Sequence, residues 1–444
     1  MVFANLLLPL FNRIVDKNID YSMINNWHFI GYMIVVAITI GLISGIYPAF
    51  VLSSFKPVNL LKGDVYKNHK GKLGPKKILV TFQYMISIFL IIETLIVYKQ
   101  IQYMMSKDLG FNKENLLIAS IKSTNKKLDM EEFRDKLLQN PEILDVTYSQ
   151  SLPFHGSSGW PMTWEGNQSN EKMDVRYNEV SIDFVRTLQM KIVKGRNFSR
   201  DFPSDRKESC LINETACRRF GWTDPVGKMV DGKYRVVGVV KDFHPYSMQE
   251  LIPPYLIRLK TNDTCDNGIY TFRFTPGHIT QARKILTDEL EARFPNDPFE
   301  PRLFTDDFRR DGNFRTWIAI SNTFLFFTVL IILLAIIGIY GLVSFTTSRR
   351  TKEIGIRKVH GSPLFIIYLK IIKDFVILLA IAILVAWPGA YILYQYIPGS
   401  YKYGLKLSEF VIATLLILII TLLTTSYQII KVMLTNPVEA LRYE

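Results

Sequence analysis

Two segments of the sequence carry side chains that could do chemistry. HGSSG at 155–159 places a histidine near two serines, but it lacks the G-x-S-x-G spacing of a nucleophile elbow. We interpret it as a flexible loop. Asp242 and His244 follow the apolar run YRVVGVV and could hold a metal ion or transfer a proton. A turn after a buried strand is the simpler interpretation, so neither segment predicts an enzyme.

No motif for ATP hydrolysis is present in the sequence. A P-loop reads G-x-x-x-x-G-K-[ST], with glycines that let backbone amides surround phosphate and a lysine that reaches the β- and γ-phosphates. The nearest candidate, Gly71-Lys72-Leu73, lacks the hydroxyl and the upstream glycine spacing. The sequence also lacks H-E-x-x-H and an intramembrane aspartate pair. We therefore expect neither an enzyme nor a bound cofactor.

The cysteines do not indicate a disulfide framework or a zinc site. Cys210, Cys217 and Cys265 are an odd number, and no Cys/His pair has zinc-ligand spacing. We expect small, buried side chains and no metal.

Five stretches are apolar and long enough to cross about 30 Å of hydrocarbon, which takes about 20 residues of helix. They are Phe29–Leu52, Ile78–Tyr98, Ile318–Phe345, Phe375–Tyr394 and Phe410–Leu434. A shorter apolar stretch, Val2–Phe11, lacks the basic region and cleavage site of a signal peptide. We interpret it as the end of a helix that begins upstream.

The net charge of +13 indicates topology, not nucleic-acid binding. Lys and Arg nearly balance Asp and Glu within 101–315, so the excess lies beside the spans. Seven lysines crowd into 56–77, and five basic residues lie in 349–358. The positive-inside rule makes both loops cytoplasmic. Residues 101–315 then lie outside the cell membrane, and the C-terminus lies in the cytoplasm.

The region 101–315 alternates strand-like and helix-like segments, which predicts compact α+β lobes. Gln100–Lys107 is predicted as a helical stalk that leads into it. Predicted helices are Met130–Gln139, Ile182–Leu188, Asn213–Phe220 and Ile279–Phe294. Predicted strands are Leu116–Ile121, Ile143–Ser149, Lys191–Lys194, Arg235–Val240, Tyr270–Phe274 and Pro301–Phe304.

Two membrane exits are similar in sequence. YPAFVLSSFKPVNLLK at 47–62 and YQIIKVMLTNPVEALR at 427–442 share Tyr, Pro and Val at a constant offset. Either chance or a duplication explains this. Duplication would give two related membrane halves, as in many transporters, of which this chain would contain mainly the second.

The segment SRRTKEIGIRKVHGSP at 348–363 has signals of a short cytoplasmic helix. Thr347 or Ser348 could cap its start, and Gly361 and Pro363 would end it. A basic membrane anchor is one interpretation. Gly355 favours a docking surface instead, because a glycine within a helix costs nearly 1 kcal/mol relative to alanine.

Several motifs resemble one family along most of the chain. RRTKEIGIRKVHGS, the closing NPVEALRYE and the span TFQYMISIFLIIETLIVYKQIQYM are similar to FtsX-like, MacB-type ABC transporter permeases. Within the polar region, KGRNFSRDF, INETACRRFGWTDPVGK and YRVVGVVKDFHPYS resemble the periplasmic module of that family. His360 departs from the aliphatic residue expected there.

The resemblance implies a permease that works with a separate cytoplasmic ATPase. The implied ATPase-coupling residues are Glu353, Gly355, Ile356, Arg357, Lys358 and Gly361. Further implied partners are a second permease subunit in a dimer, the lipid bilayer, and a periplasmic adaptor or substrate; no nucleic acid is expected. The location is the bacterial inner membrane, and the role is export or mechanotransmission. The alternative is a membrane sensor that reports a periplasmic ligand to a cytoplasmic partner.

The predicted fold is an α-helical transmembrane bundle of about five spans plus a short N-terminal partial helix, with an inserted α+β periplasmic domain. Its segments are a helix remnant and outer loop (1–28), a span (29–54), a basic cytoplasmic loop (55–77), a span (78–100), the periplasmic domain (101–315), a span (316–346), a cytoplasmic coupling helix (347–363), two spans (364–434) and a cytoplasmic tail (435–444).

Three further side chains have two interpretations each. Glu93 lies within the second span, where an ionisable group is costly, and we favour a structural hydrogen bond. Trp160 and Trp164 flank polar sequence and could line a partner surface or pack in a core.

Overall fold

The computed structural model describes the residues that follow: 8–9, 11–13, 26–53, 75–121, 128–154, 156–167, 171–246, 250–261, 264–265, 268–294, 300–310, 312–359, 364–397 and 399–433. The chain forms two compact units. We call the first, Met1–Ile101 with Ile318–Ile397 and Tyr403–Glu444, the helical bundle. The second, Gln102–Trp317 with Pro398–Lys402, is the α+β domain.

The helices are α1 (Trp27–Ser53), α2 (Pro75–Ser106), α3 (Met130–Leu137), α4 (Phe184–Thr187), α5 (Asp205–Glu208), α6 (Glu214–Arg219), α7 (Ile279–Arg293), α8 (Phe304–Arg310), α9 (Gly312–Val359), α10 (Leu364–Gln395) and α11 (Leu407–Met433). The strands are β1 (Leu116–Ile121), β2 (Leu128–Asp129), β3 (Ile143–Ser149), β4 (Ser158–Met162), β5 (Met173–Val180), β6 (Ile192–Gly195), β7 (Ser209–Asn213), β8 (Met229–Val230), β9 (Tyr234–Val240), β10 (Tyr255–Leu259), β11 (Thr264–Cys265), β12 (Gly268–Phe274) and β13 (Arg302–Leu303).

Four helices of the bundle, α2, α9, α10 and α11, are long and apolar enough within the described residues to cross a membrane. The described apolar part of α1, Trp27–Leu42, is shorter than a span, so the count of five stays a prediction. In an apolar stretch of 18 residues in α2, half of the residues are buried, against 22–28% in the corresponding stretches of the other three helices. The α2 helix is therefore the most enclosed of the four.

Some polar groups inside the bundle are paired across neighbouring helices. Thr421 Oγ1 donates to the Tyr84 hydroxyl at 3.0 Å, and the hydroxyls of Thr94 and Thr328 lie 2.8 Å apart. Glu93 is buried, but its Oε1 has no hydrogen-bond partner among the described residues. The structural hydrogen bond predicted for Glu93 is therefore not made by this oxygen.

One sheet of 11 strands runs through the described part of the α+β domain, in the order β13-β1-β12-β3-β5-β10-β7-β9-β6, with β4 on β5 and β8 on β9. The antiparallel end, β13 to β3, is covered by α3 and α7 around Phe133, Phe272 and Leu286. The other end contains the parallel pairs β5–β10 and β7–β9. The two ends join at the single pair Ser149–Val180. The domain therefore has two lobes, each with a hydrophobic core of its own.

Every predicted helix and strand of this domain is confirmed within a few residues, including the stalk, since α2 continues to Ser106. The predicted helix start at Asn213 is confirmed in detail, because Asn213 Oδ1 accepts the Ala216 amide at 2.9 Å. Not predicted from the sequence were the strands β4, β5, β7 and β10, the two-residue strands β2, β8 and β11, and the short helices α5 and α8. In β7, SCLIN is a short buried run that has no periodicity to mark it as a strand.

The predicted helix start at Thr347 or Ser348 is wrong. The α9 helix is continuous over 48 residues and passes through both positions. Neither proline nor glycine lies between Leu342 and Ile354, and a continuous helix keeps the i→i−4 hydrogen bonds that a new start would leave open. The α10 helix also continues through a proline, Pro388. The apolar stretch Val2–Phe11 and the two similar exits lie largely outside the described residues.

Candidate functional site

The α+β domain is connected to α2 by a tight turn. This turn, Lys107–Phe111, directly follows the helix end at Ser106. It lies against Lys241–His244, the segment after β9, and against Tyr401. We call these three parts the stalk junction; all of them belong to the α+β domain.

Gly110 lets the turn approach the segment after β9 at backbone distance. Its φ is +83°, and a Cβ there would overlap the Asp242 carbonyl oxygen and lie 2.6 Å from Phe243 Cα. Only glycine fits both the left-handed backbone and the close approach. The His244 amide also donates to the Leu109 carbonyl at 3.0 Å. The two backbones are therefore fixed to each other without an intervening side chain.

Charged side chains close both sides of this backbone contact. Lys241 Nζ lies 2.7 Å from Asp108 Oδ2, and the hydrogen bond from Lys241 is the main cause that lowers the pKa of Asp108. Asp108 Oδ1 also accepts the Gly110 amide at 2.9 Å. Lys113 Nζ donates to the Met105 carbonyl at 2.8 Å and so satisfies a carbonyl at the end of α2.

Asp242 has a structural role. Its carboxylate accepts the Thr215 amide and hydroxyl, each at 2.8 Å, and pairs with Arg218 at 2.7 Å. These contacts join the segment after β9 to the first turn of α6. A carboxylate held by three donors is not a free base, so the interpretation as a turn after a buried strand fits best.

His244 and Tyr401 form the aromatic side of the stalk junction. The two rings meet edge to face with centroids 4.9 Å apart, and Lys107 Nζ lies 3.2 Å from the Tyr401 ring centroid. Burial, and to a lesser extent the charge of Lys107, lower the pKa of His244 to about 4. The histidine is therefore neutral at pH 7 and packs as an aromatic ring.

A buried arginine that was not predicted from the sequence stabilises the chain just beyond the junction. Arg273 is 5% exposed. Its guanidinium donates to the carbonyls of Thr187, Asn112 and Glu114 at 2.6, 2.8 and 2.9 Å. Because Asn112 and Glu114 follow the junction turn, Arg273 ties that turn to the β-sheet. The only signal for it was an arginine in the apolar strand GIYTFRF.

The remaining candidates for chemistry have no catalytic partner in the described residues. Ser157 Oγ lies 2.8 Å from the Tyr246 hydroxyl, and His155 lies outside the described residues. The described residues contain no group of three or more His, Cys, Asp or Glu that could hold a metal ion. Cys210 is buried, as predicted, and burial raises its pKa; Cys217 is half-buried.

The two tryptophans have different surroundings. Trp164 stacks on Phe220 with ring centroids 5.2 Å apart, beside the core of the second lobe. Trp160 lies on β4 and is 60% exposed. Core packing is therefore correct for Trp164, whereas Trp160 remains available to a partner surface.

The residues predicted to couple to an ATPase lie near the C-terminal end of α9. Glu353, Gly355, Ile356, Arg357 and Lys358 belong to this helix, which ends at Val359. Gly361 lies outside the described residues, and so does His360.

Comparisons with known proteins cover both units. The model of the MacB-like periplasmic core domain matches residues 81–270, and the model of the FtsX-like permease C-terminal region matches residues 325–437. No curated protein matches the chain. The periplasmic region of MacB from Actinobacillus actinomycetemcomitans is similar at 16% identity, over 47% of this chain and 97% of its own, with a TM-score of 0.35.

The extracellular domain of the noncanonic ABC-type transporter YknZ from Gram-positive bacteria is similar at 13% identity, over 42% of this chain and 100% of its own, with a TM-score of 0.32. At these identities and TM-scores, the two family models carry the assignment. They match in the expected order, one mainly on the α+β domain and one on the C-terminal helices. The chain therefore belongs to the FtsX-like, MacB-type permeases of ABC transporters, multi-pass inner-membrane proteins with a periplasmic domain.

Proposed function

We propose that this chain is the permease subunit of a bacterial ABC transporter, in which a separate cytoplasmic ATPase drives movement of the periplasmic α+β domain. The observation that carries the proposal is the continuity of α9, which extends without a break from Gly312 to Val359. At a rise of 1.5 Å per residue, such a helix is about 70 Å long. A continuous helix transmits displacement along its axis better than two segments joined by a loop.

The start of α9, up to Trp317, belongs to the α+β domain. Phe314 and Trp317, in its first two turns, are buried. Phe304, at the start of the preceding α8, meets Phe111 of the stalk junction edge to face with centroids 5.7 Å apart. The segments that enter and leave the domain are therefore in aromatic contact. Displacement of α9 would be shared with the stalk junction.

The C-terminal part of α9 is the proposed contact with the ATPase. In our proposal, Glu353, Gly355, Ile356, Arg357 and Lys358, with Gly361 beyond the helix, form the surface that contacts the ATPase. The basic loops and the C-terminus lie in the cytoplasm, and two permease subunits pair in the membrane. ATP hydrolysis belongs to the partner, and the output is export or mechanotransmission.

Copurification tests the proposal. The tagged full chain is expressed together with the ABC ATPases of the same genome, and the ATP hydrolysis recovered with it is measured. We expect an ATPase to copurify with the unmodified chain. Glu353→Ala combined with Arg357→Ala should lower recovery at least tenfold. Lys352→Ala is the matched control, because it changes a neighbouring charge outside the coupling set.

Two outcomes would overturn the proposal. One is unchanged ATPase recovery in the double variant at equal chain abundance in the membrane. The other is recovery of a kinase without any ATPase, which would favour the sensor alternative.

A further inference from the structure

A pocket of the α+β domain adjoins the stalk junction and has a volume of about 290 Å³. We call it the Arg219 pocket. It shares two residues with the junction, and its other walls come from α6 and from the segment before β10. These walls include Arg218, Arg219, Asp242, Leu251, Ile252 and Tyr401. Neither the family assignment nor the proposed function uses this pocket.

The walls of the Arg219 pocket are accessible to a ligand. Leu251 is 67% exposed, and the side chain of Arg218 is 64% exposed. Arg219 is exposed as well, whereas Ile252 and Tyr401 are half-buried. A ligand in the pocket can therefore contact both the charged and the apolar side chains.

The positive charge of the pocket is only partly matched. Arg218 pairs with Asp242 at 2.7 Å. Its side-chain hydrogen bonds to Thr215 and Asp242 both use Nη2, so further N–H groups of this guanidinium remain open. Arg219 has no hydrogen bond or ion pair with any residue that the structure describes. Two arginines against one carboxylate leave a net charge of +1.

Two connections of the chain place the Arg219 pocket near the outer membrane surface. The apolar helix segment Lys77–Ser106 has 30 residues and is about 45 Å long, which matches a bilayer with its headgroups. The stalk junction begins at the next residue, Lys107. Tyr401 lies six residues from the end of α10 and six from the start of α11. The pocket is therefore close to the headgroups of the periplasmic leaflet.

We propose that the Arg219 pocket binds the phosphate of a phospholipid headgroup. Arg219 and the open nitrogens of Arg218 hold the phosphate, because guanidinium groups match phosphate oxygens. Leu251 and Ile252 contact the glycerol and the first acyl carbons, since aliphatic side chains beside basic ones are typical of membrane-surface contacts. Tyr401 contributes an amphipathic ring of the kind enriched at membrane interfaces. The bound lipid attaches the α+β domain to the bilayer beside the stalk junction.

Native mass spectrometry of the full chain tests the proposal, because it counts the lipid molecules bound to the protein. The chain is titrated with dioleoylphosphatidylglycerol in uncharged maltoside micelles. Dioleoylglycerol is the matched probe, since it has the same acyl chains and no phosphate. We expect at least one phosphatidylglycerol molecule to bind with a Kd about fivefold lower than that of dioleoylglycerol.

Two pairs of variants locate the site. Arg219→Gln should raise the Kd of phosphatidylglycerol about fivefold, because it removes the unmatched charge. Arg283→Gln is its matched control, since Arg283 is also exposed but lies on α7 in the other lobe. Leu251→Ser should raise the Kd about threefold, whereas Leu144→Ser, at an exposed position of β3, should leave it unchanged. Unfolding temperatures show that each variant is folded.

Equal Kd values in Arg219→Gln and Arg283→Gln would overturn the proposal, because the lipid would then bind elsewhere on the chain. Equal affinity for phosphatidylglycerol and dioleoylglycerol would overturn it too, because the phosphate would not be recognised. Inorganic phosphate and the acidic peptide triglutamate serve as competitors. If either one displaces the Arg219-dependent lipid at equal concentration, the site binds a free anion or an acidic partner, and the lipid headgroup is the wrong ligand.

Discussion

The stalk junction and a cluster formed by Glu131, Arg200 and Arg206, here called the Glu131 cluster, are two polar regions of the same α+β domain with opposite design. At the junction, backbone contacts backbone, and the principal ion pair is short: Lys241 lies 2.7 Å from Asp108. In the Glu131 cluster, the arginines reach Glu131 at 3.3 Å or more. The first region has one arrangement that fits, whereas the second tolerates replacement of a partner.

This difference corresponds to two kinds of work. A connection that transmits displacement must be rigid. At Gly110 the two backbones are in direct contact, so no side chain between them can change conformation and take up the displacement. The ion pairs of the Glu131 cluster are long and exposed, so breaking one of them costs little. The fixed and the exchangeable region can be distinguished by how strongly a single substitution changes stability.

Gly110→Ala should have the largest effect. The new methyl group would overlap the Asp242 carbonyl oxygen, and the backbone would have to keep a φ of +83°. We expect a loss of at least about 3 kcal/mol in the free energy of unfolding. Denaturant unfolding of the full chain in detergent micelles, followed by circular dichroism, measures it.

Gly277→Ala is the matched control for backbone strain. Gly277 has nearly the same φ, +85°, but its Cβ would meet no atom within 4 Å. It should lose only about 1–2 kcal/mol, the cost of the left-handed conformation alone. Equal losses in the two variants would show that the close approach at the junction is not what requires Gly110.

A pH titration of the stalk junction should have an intermediate effect. The pKa of His244 is lowered to about 4 by burial and by Lys107, whereas the unfolded chain titrates near 6.5. Between these values the unfolded state binds more protons, so stability falls as the pH drops from about 6.5 towards 4. The loss should be at most about 3 kcal/mol at pH 4.

Exchange of the His244 amide, which donates to Leu109, reports this loss locally. Its protection against hydrogen exchange should decrease over that pH range after correction for the intrinsic rate. In His244→Gln the dependence should disappear, and in His278→Gln, at an exposed position, it should persist. A flat profile in the unmodified chain would mean that His244 does not titrate with the junction.

Much of this fold could be predicted from the sequence because its strongest signals are local. Spans follow from apolar length, and Asn213 marks a helix start because its cap is formed within three residues. The strands β5 and β7 were missed because their pairing partners, not their own residues, determine them. Thr347 and Ser348 gave a wrong prediction for the converse reason. The local capping signal is present, but α9 begins upstream and continues through both positions.

The stalk junction was only partly predictable. Asp242 and His244 stood out by residue type, but for chemistry that they do not perform. Gly110 and Tyr401 gave no signal, since their role depends on contacts between segments more than 100 residues apart in sequence. Such contacts follow from the tertiary fold and cannot be inferred from spacing along the chain.

Glu131→Gln should have the smallest effect on stability. Its contacts to Arg200 and Arg206 are long and solvent-exposed, so the free energy of unfolding should change by no more than about 0.5 kcal/mol. The same denaturant titration measures it, with Lys207→Gln as the reference for an exposed charge. A loss above about 1.5 kcal/mol would show that Glu131 is a fixed structural partner. The Glu131 cluster would then resemble the stalk junction, and the contrast between an exchangeable and a fixed region would fail.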